Sequence, residues 1–161
     1  MKSVFCFHNP DEENAYLSNW FFSPFSVDGT RYSSMEQYMM HRKALTFADE
    51  EIGGKIMATH DFAEIKALGR QVRNFDNRIW NGIRQIVIYE GLLEKFRQNP
   101  DLKRQLLATG DALLAECAYG DKIWANGLGM EDPHREDMDH WRGQNLLGFA
   151  LMQVRQKLKN E

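Results

Sequence analysis

The sequence predicts an α+β fold, a helix-rich single domain over residues 1–161 with a small N-terminal β-sheet or hairpin and a long central helix. Three observations predict it. Strand signals are concentrated in the first third of the chain, helix-start and helix-stop signals punctuate the middle, and the C-terminal segment has an apolar helical stripe. With 161 residues, of which 43% are hydrophobic, the chain is long enough to bury a core without disulfides or structural metal.

The strands are predicted from short apolar runs and turn residues. Residues 3–7 form such a run, which ends before Asn9-Pro10. A hairpin is indicated around Asp28-Gly29, because these residue types readily adopt the positive φ angles of a two-residue type I′ turn. A further buried strand is expected at residues 112–118, bounded by Gly110 and Gly120.

The helices are predicted from their capping residues. Ser33 followed by Glu36 fits a capping box and opens a helix through Ala44. Three more helices are expected at residues 61–69, 76–92 and 102–108, and the second of these is the long central helix. The last helix is expected at residues 143–159, where apolar residues recur at the spacing of a core-facing stripe: Leu147, Leu151, Val154 and Leu158.

Charge and cysteine usage exclude several classes of protein. The chain has 20 basic and 23 acidic residues, a net charge of −3, and therefore lacks the broad basic field that coats nucleic acid. No run approaches the roughly 18 apolar residues of a membrane span and no targeting segment is visible, so we expect a cytoplasmic protein without a membrane partner. Cys6 and Cys117 form no CxxC motif and are expected to be reduced, buried thiols.

The most informative stretch places an acid and an amine on one helix face. Glu36 and Lys43 are seven residues apart, nearly two turns, and Met40 lies between them on the same face. On a buried stripe, desolvation raises a carboxylate pKa and lowers an ammonium pKa, which suits an acid or base and a nucleophilic amine. The alternative is that Glu36 completes the capping box and Lys43 extends from the helix end.

Two further stretches carry candidate ligand-binding residues. Asp121 and Trp124 lie in a glycine-rich loop after the expected strand, where an indole can stack on a base and a carboxylate can hold ribose hydroxyls or stabilise a cation. The alternative is a turn aspartate and a core tryptophan. Asn145 suits ligand binding or helix capping, and Gly148 indicates close approach of another element or of a ligand.

The segment from Met130 to His140 is predicted to be an exposed acidic loop. It contains the metal-capable residues His134, Asp137, Asp139 and His140, but their spacing matches no standard metal motif. We therefore expect no metal site there.

Five ordered motifs resemble the NADAR superfamily of YbiA-like proteins, essentially from end to end. The first motif is Leu17-Ser18-Asn19 followed by Ser23-Pro24-Phe25, and the second runs from Met35 through Glu36 to Met40 with Lys43-Ala44. The others are Ala67-Leu68-Gly69-Arg70 with the helix of Trp80, Asp121-Lys122-Ile123-Trp124, and the stretch from Trp141 to Gly148 that includes Asn145.

The resemblance implies an N-glycosidase, a hydrolase that cleaves a bond between a ribose carbon and a nitrogen. Members of the family act on phosphorylated riboflavin-pathway intermediates or remove ADP-ribose from guanine. It implies catalytic roles for Glu36, Lys43 and Asp121, without a cofactor. It implies ligand-binding roles for Trp80, Trp124 and Asn145, and we expect Asn19, Arg70 and Gly148 to contribute to substrate binding as well.

The chemistry of an N-glycosidic bond agrees with these residues, because its cleavage places positive charge on the sugar carbon and negative charge on the leaving nitrogen. We expect Lys43 to add to the ribose carbon as a transient Schiff base while Glu36 moves protons. Arg70, Arg73 and Lys66 are candidates for binding phosphate.

Three functions are left open. The partner is a ribosylated, phosphorylated small molecule in the first, and nucleic acid carrying an ADP-ribosylated guanine in the second. The third is a non-catalytic module that binds ADP-ribose or NAD-like ligands. The sequence leaves the oligomeric state undetermined.

Overall fold

The structure, a computed structural model, describes residues 3–161. Its contacts divide the chain into two compact units, one of residues Phe22–Asn99 and one made of the segments up to Phe21 and from Pro100 onward. The predicted α+β class is confirmed, whereas a single domain over residues 1–161 stays a prediction. The strands are β1 (Val4–Phe7), β2 (Phe22–Val27), β3 (Thr30–Ser34) and β4 (Leu113–Glu116). The α-helices are α1 (Met35–Thr46), α2 (Glu50–Met57), α3 (Phe62–Gly69), α4 (Asn77–Gln98), α5 (Pro100–Ala108) and α6 (Leu146–Lys159).

The first unit is built around the predicted hairpin and the long helix α4. β2 and β3 are antiparallel, and Asp28 and Gly29 have φ angles of 50° and 81°, as the predicted turn requires. Helix α1 packs against α2, α3 and α4, and α4 also packs against β2. A Cβ on Gly91 of α4 would lie 2.3 Å from a ring carbon of Tyr38. Glycine therefore permits α4 to approach α1 closely.

The N-terminal cap of α1 differs from the predicted capping box by one residue. Ser34, rather than Ser33, is the N-cap, and its hydroxyl accepts a hydrogen bond from the Gln37 backbone N–H at 3.2 Å. The Gln37 side chain reaches back and accepts from the Ser33 backbone N–H at 2.9 Å. The assignment of Glu36 to the cap was wrong, because Gln37 performs that function.

Helix α2 was not predicted from the sequence. Its N-cap is Asp49, whose carboxylate accepts from the Ile52 backbone N–H at 3.1 Å. Two adjacent glycines, Gly53 and Gly54, lie inside the helix and weaken its local helical signal. The helix forms because Ile52 and Ile56 are buried on the face toward the rest of its unit.

The second unit contains the parallel pair of β1 and β4, on which α6 packs, and α5 packs against α6. Cys6 and Cys117 are free and buried, as predicted. Helix α6 begins at Leu146 instead of Gly143, because the backbone N–H groups of Gly143 and Gln144 donate to the carbonyls of Asn126 and Lys122 at 2.8 and 2.9 Å. Within residues 3–161, no helix has the length and apolar character needed to cross a bilayer.

Candidate active site

Helix α1 presents an acid and an amine on one apolar face, as the sequence predicted. Glu36 is only 5% exposed, Met40 is buried one turn later, and Lys43 follows half-buried near the end of the helix. Because Gln37 completes the cap, Glu36 is available for a different role from the one in the alternative interpretation. The sequence therefore places a carboxylate in the interior of its unit and an amine at the margin of that interior.

The surroundings of Lys43 raise the fraction of its neutral amine form. Burial lowers the pKa of Lys43, the positive charge of Arg70 lowers it further, and Glu36 acts in the opposite direction. The Lys43 nitrogen Nζ lies over the Phe75 ring, 4.6 Å from its centroid, where a protonated amine makes a cation–π contact. Phe75 was not among the predicted site residues, since a phenylalanine just before the Asp76 cap carries no local signal of such a contact.

Arg70 reaches this region because α3 approaches α1 closely. A Cβ on Gly69 would lie 2.1 Å from the sulfur of Met40, so this position accepts a larger residue only if Met40 moves. Arg70 follows immediately as the C-cap of α3, exposed, with its charge acting on Lys43. The glycine thus explains how two residues distant in sequence come together.

Arg73, one of the candidates for binding phosphate, is engaged elsewhere. Its guanidinium nitrogen Nη2 lies 2.9 Å from Asp49 and 3.3 Å from Glu51, and its backbone N–H also donates to Asp49 at 2.8 Å. These bonds connect the chain after α3 to the N-terminus of α2. Arg73 therefore has a structural role, and phosphate binding by Arg70 stays a prediction.

Trp80 is buried in α4, within the same unit as Glu36, Lys43 and Arg70. The other five predicted site residues belong to the second unit: Asn19, Asp121, Trp124, Asn145 and Gly148.

Asp121 organises the loop that carries Trp124. One carboxylate oxygen, Oδ1, accepts hydrogen bonds from the backbone N–H groups of Ile123 and Trp124, both at 2.9 Å. The indole of Trp124 is half-buried, which does not fit the alternative of a core tryptophan. Asp121 has the turn function of the alternative interpretation, and its catalytic role stays a prediction.

Asn145 and Gly148 connect α6 to β4. The Asn145 side chain does not cap α6; its amide nitrogen donates to the Leu114 carbonyl at 2.9 Å and its oxygen accepts from the Glu116 backbone N–H at 3.0 Å. A Cβ on Gly148 would lie 2.0 Å from the Leu114 oxygen, so the close approach is to β4. The structure thus gives both residues a role in packing, and their substrate-binding roles stay predictions.

Asn19 has an unsatisfied polar atom. Its side chain is buried, and its amide oxygen has no hydrogen-bond partner among residues 3–161. A buried acceptor without a partner is unfavourable by about 1–3 kcal/mol, so such atoms are expected to accept from a ligand or an ordered water. Either one can supply the missing hydrogen bond, so the substrate-binding role of Asn19 stays a prediction.

Together these features describe a mixed α/β protein with a buried carboxylate and a pKa-lowered lysine on one helix face. Comparison with known proteins identifies the group to which it belongs. The NADAR domain model matches residues 6–159, and the chain belongs to the NADAR family.

The relatives include proteins named for an enzymatic activity. An N-glycosidase of Acanthamoeba polyphaga mimivirus is 40% identical over 97% of this chain and 96% of its own length. A riboflavin biosynthesis protein of Vibrio vulnificus is 34% identical over 99% of this chain, which spans 40% of that protein. The NMR structure of the Escherichia coli protein YbiA matches with a TM-score of 0.81 and 26% identity, over 99% of this chain and 87% of that one.

Proposed function

We propose that this protein is an N-glycosidase that hydrolyses the C–N bond between ribose and a nitrogen of a ribosylated, phosphorylated small molecule. The observation that carries the proposal is the lowered pKa of Lys43 beside Arg70, on the same helix face as the buried Glu36. The names of the relatives, N-glycosidase and riboflavin biosynthesis protein, support the reaction class and the kind of substrate. A cytoplasmic location is part of the same proposal.

In the proposed reaction Lys43 acts as the nucleophile. Only a neutral amine has the lone pair to attack, and the environment of Lys43 raises the neutral fraction. Nζ bonds to the anomeric carbon, the bond from that carbon to the leaving nitrogen breaks, and Glu36 gives the leaving nitrogen a proton. The Glu36 carboxylate then takes a proton from Nζ and passes it to the ring oxygen as the sugar opens to a protonated imine. Water adds to the imine carbon and gives a proton back to Glu36. The remaining hydroxyl proton moves to Nζ as the bond from carbon to Nζ breaks, which releases the sugar as an aldehyde and lysine as the free amine.

Arg70 is proposed to bind the phosphate. It is exposed, its charge reaches Lys43, and a guanidinium can bind two phosphate oxygens at once. The same cation that lowers the pKa of the nucleophile would therefore place the phosphorylated ribose near it. A net charge of −3 favours such a local contact over the broad basic surface that a polymer requires.

A comparison of substrates tests the reaction and separates the three functions. The purified protein is incubated with a ribosylaminopyrimidine phosphate, with DNA carrying ADP-ribosylated guanine, and with NAD, and release of the base and sugar is followed by chromatography. We expect turnover of the first substrate. Turnover of the modified DNA alone would overturn the choice of substrate, and binding of NAD without release of any sugar would overturn the glycosidase itself.

Matched variants test the proposed roles. Lys43→Ala and Glu36→Gln are expected to lower kcat by about 100-fold or more, because general acid–base contributions alone are typically 10²–10⁴-fold. Arg70→Ala is expected to raise KM more than it lowers kcat. Lys55→Ala, an exposed lysine of α2, serves as the control. Asp121→Asn and Trp124→Ala test the roles that remain predictions in the second unit.

A further inference from the structure

Two histidines and an aspartate, none of which takes part in the proposed reaction, cluster on the exposed loop between β4 and α6. His134, Asp137 and His140 each offer one ligand atom, and these atoms all lie within 4.8 Å of one another. The rings of His134 and His140 are stacked, with centroids 4.0 Å apart and 9° between their planes. Imidazole nitrogens and carboxylate oxygens are ligands that divalent transition metals accept.

The backbone explains why these three side chains meet. The Asp137 backbone N–H donates to the His134 carbonyl at 2.9 Å, and the His140 N–H donates to the Asp137 carbonyl at 3.0 Å. The two turns share Asp137, which is the N-cap of a short 3-10 helix over Met138–His140 and has an extended backbone, with φ −105° and ψ 106°. The two turns keep the three residues close in space and their side chains meet, although their spacing matches no standard metal motif and the sequence predicted no metal site here.

The backbone under the cluster is held by neighbouring side chains. The Arg135 carbonyl accepts from the indole N–H of Trp141 at 2.8 Å and from the Asn126 amide at 3.2 Å. The Arg135 guanidinium in turn donates to the Met130 carbonyl. These hydrogen bonds hold the main chain of the loop in place, whereas the three potential ligands are exposed. Binding an ion therefore requires side-chain rotation and little ordering of the main chain.

We propose that His134, Asp137 and His140 bind a divalent transition-metal ion of the Zn²⁺ class, with water completing its coordination. Bonds of about 2.0–2.2 Å place the ligand atoms of a tetrahedral ion roughly 3.4 Å apart. The ligand atoms lie at most 4.8 Å apart, and exposed side chains can adjust to the required spacing by rotating about their χ angles. The Asp137 carboxylate, 2.8 Å from Nδ1 of His140, supplies a negative charge to balance the ion.

Isothermal titration with Zn²⁺, on full-length protein freed of any purification tag, tests the site directly. We expect one Zn²⁺ per chain and a higher thermal midpoint with the ion bound, because a ligand of the native state stabilises it. Mg²⁺, which prefers oxygen ligands, should bind at least about tenfold more weakly. The double variant His134→Gln/His140→Gln is expected to lose about 100-fold or more in Zn²⁺ affinity. His60→Gln, at an exposed histidine outside the cluster, should bind as the unmodified protein does.

The location of the ion is tested separately by NMR. Addition of Zn²⁺ is expected to shift the imidazole nitrogen resonances of His134 and His140 and to leave those of His60 unchanged. No binding by the unmodified protein, or equal Zn²⁺ affinity in the double variant, would overturn the proposal. Circular dichroism of the variants separates loss of the ligands from loss of the fold. None of these readouts depends on glycosidase activity.

Discussion

Replacing Lys95 with methionine is expected to remove a pH-dependent part of the protein's stability. Lys95 lies in α4 with a fully buried side chain, its ammonium group 5.2 Å from the ring centroid of Phe96. Burial lowers the pKa of Lys95 from 10.5 to about 7, because charge is disfavoured in the interior. In the unfolded chain the same lysine keeps its ordinary pKa and stays protonated throughout the neutral range.

The sign and size of the effect follow from proton linkage. Between pH 7 and 9 the unfolded state holds a proton that the native state has released, so stability rises with pH. The slope approaches about 1.4 kcal/mol per pH unit where the native state has fully released the proton. Because that release is incomplete near pH 7, the group adds about 2.5 kcal/mol of stability in total between pH 6 and pH 9. For a chain of this size, that corresponds to roughly 5–10 °C in the thermal midpoint.

The assay is thermal unfolding of the unmodified protein and of Lys95→Met at pH 6, 7, 8 and 9. Lys95→Met should be the more stable protein at pH 6, since methionine has no charge to bury, and its advantage should shrink steadily toward pH 9. Lys55→Met, which changes an exposed lysine, should parallel the unmodified protein. A constant difference between Lys95→Met and the unmodified protein at every pH would refute a neutral, buried Lys95.

Three further substitutions, one of them with a matched control, test contacts that stabilise the fold. Gly148→Ala should lower stability by about 1–3 kcal/mol in urea denaturation, because its Cβ would meet the Leu114 oxygen, whereas Ala150→Gly in the same helix should lower it by about 1 kcal/mol or less. Ser34→Ala should cost about 1 kcal/mol through loss of the α1 cap, and full stability would contradict that assignment. Asp49→Asn should lower the thermal midpoint at pH 7 and make that midpoint fall less on acidification. Arg73 is the main cause of the lowered pKa of Asp49 in the native state, so the Asp49 carboxylate stabilises the protein above its ordinary pKa. This stabilisation is lost as the pH falls toward the native-state pKa.

The local signals in the sequence predicted the elements that depend on neighbouring residues. Asp28-Gly29 identified the hairpin, and the Asp76 cap identified the start of α4, because turns and caps are formed by residues a few positions apart. The Ser33–Glu36 box was displaced by one residue because Ser34 and Gln37 offer the same chemistry at the same spacing. Local sequence therefore predicts the presence of a helix start more reliably than the identity of the residue that caps it.

Interactions between residues distant in sequence could not be predicted from local sequence patterns. Asn145 looked like a cap, but it bonds to β4 across 29 residues of sequence, and no local pattern distinguishes the two roles. Likewise, the approach of Gly69 to Met40, which brings Arg70 near Lys43, depends on the packing of α3 on α1. The acid and amine on α1 were predictable because helical periodicity alone places them on one face.

The measurement that tests the central claim most directly is reductive trapping of the covalent intermediate. The protein is mixed with a ribosylaminopyrimidine phosphate and borohydride, digested, and mapped by mass spectrometry. The proposed reaction predicts a reduced sugar phosphate adduct on the peptide that contains Lys43, and its loss in Lys43→Arg. Substrate turnover with no trapped adduct, together with full activity in Lys43→Ala, would contradict a nucleophilic lysine.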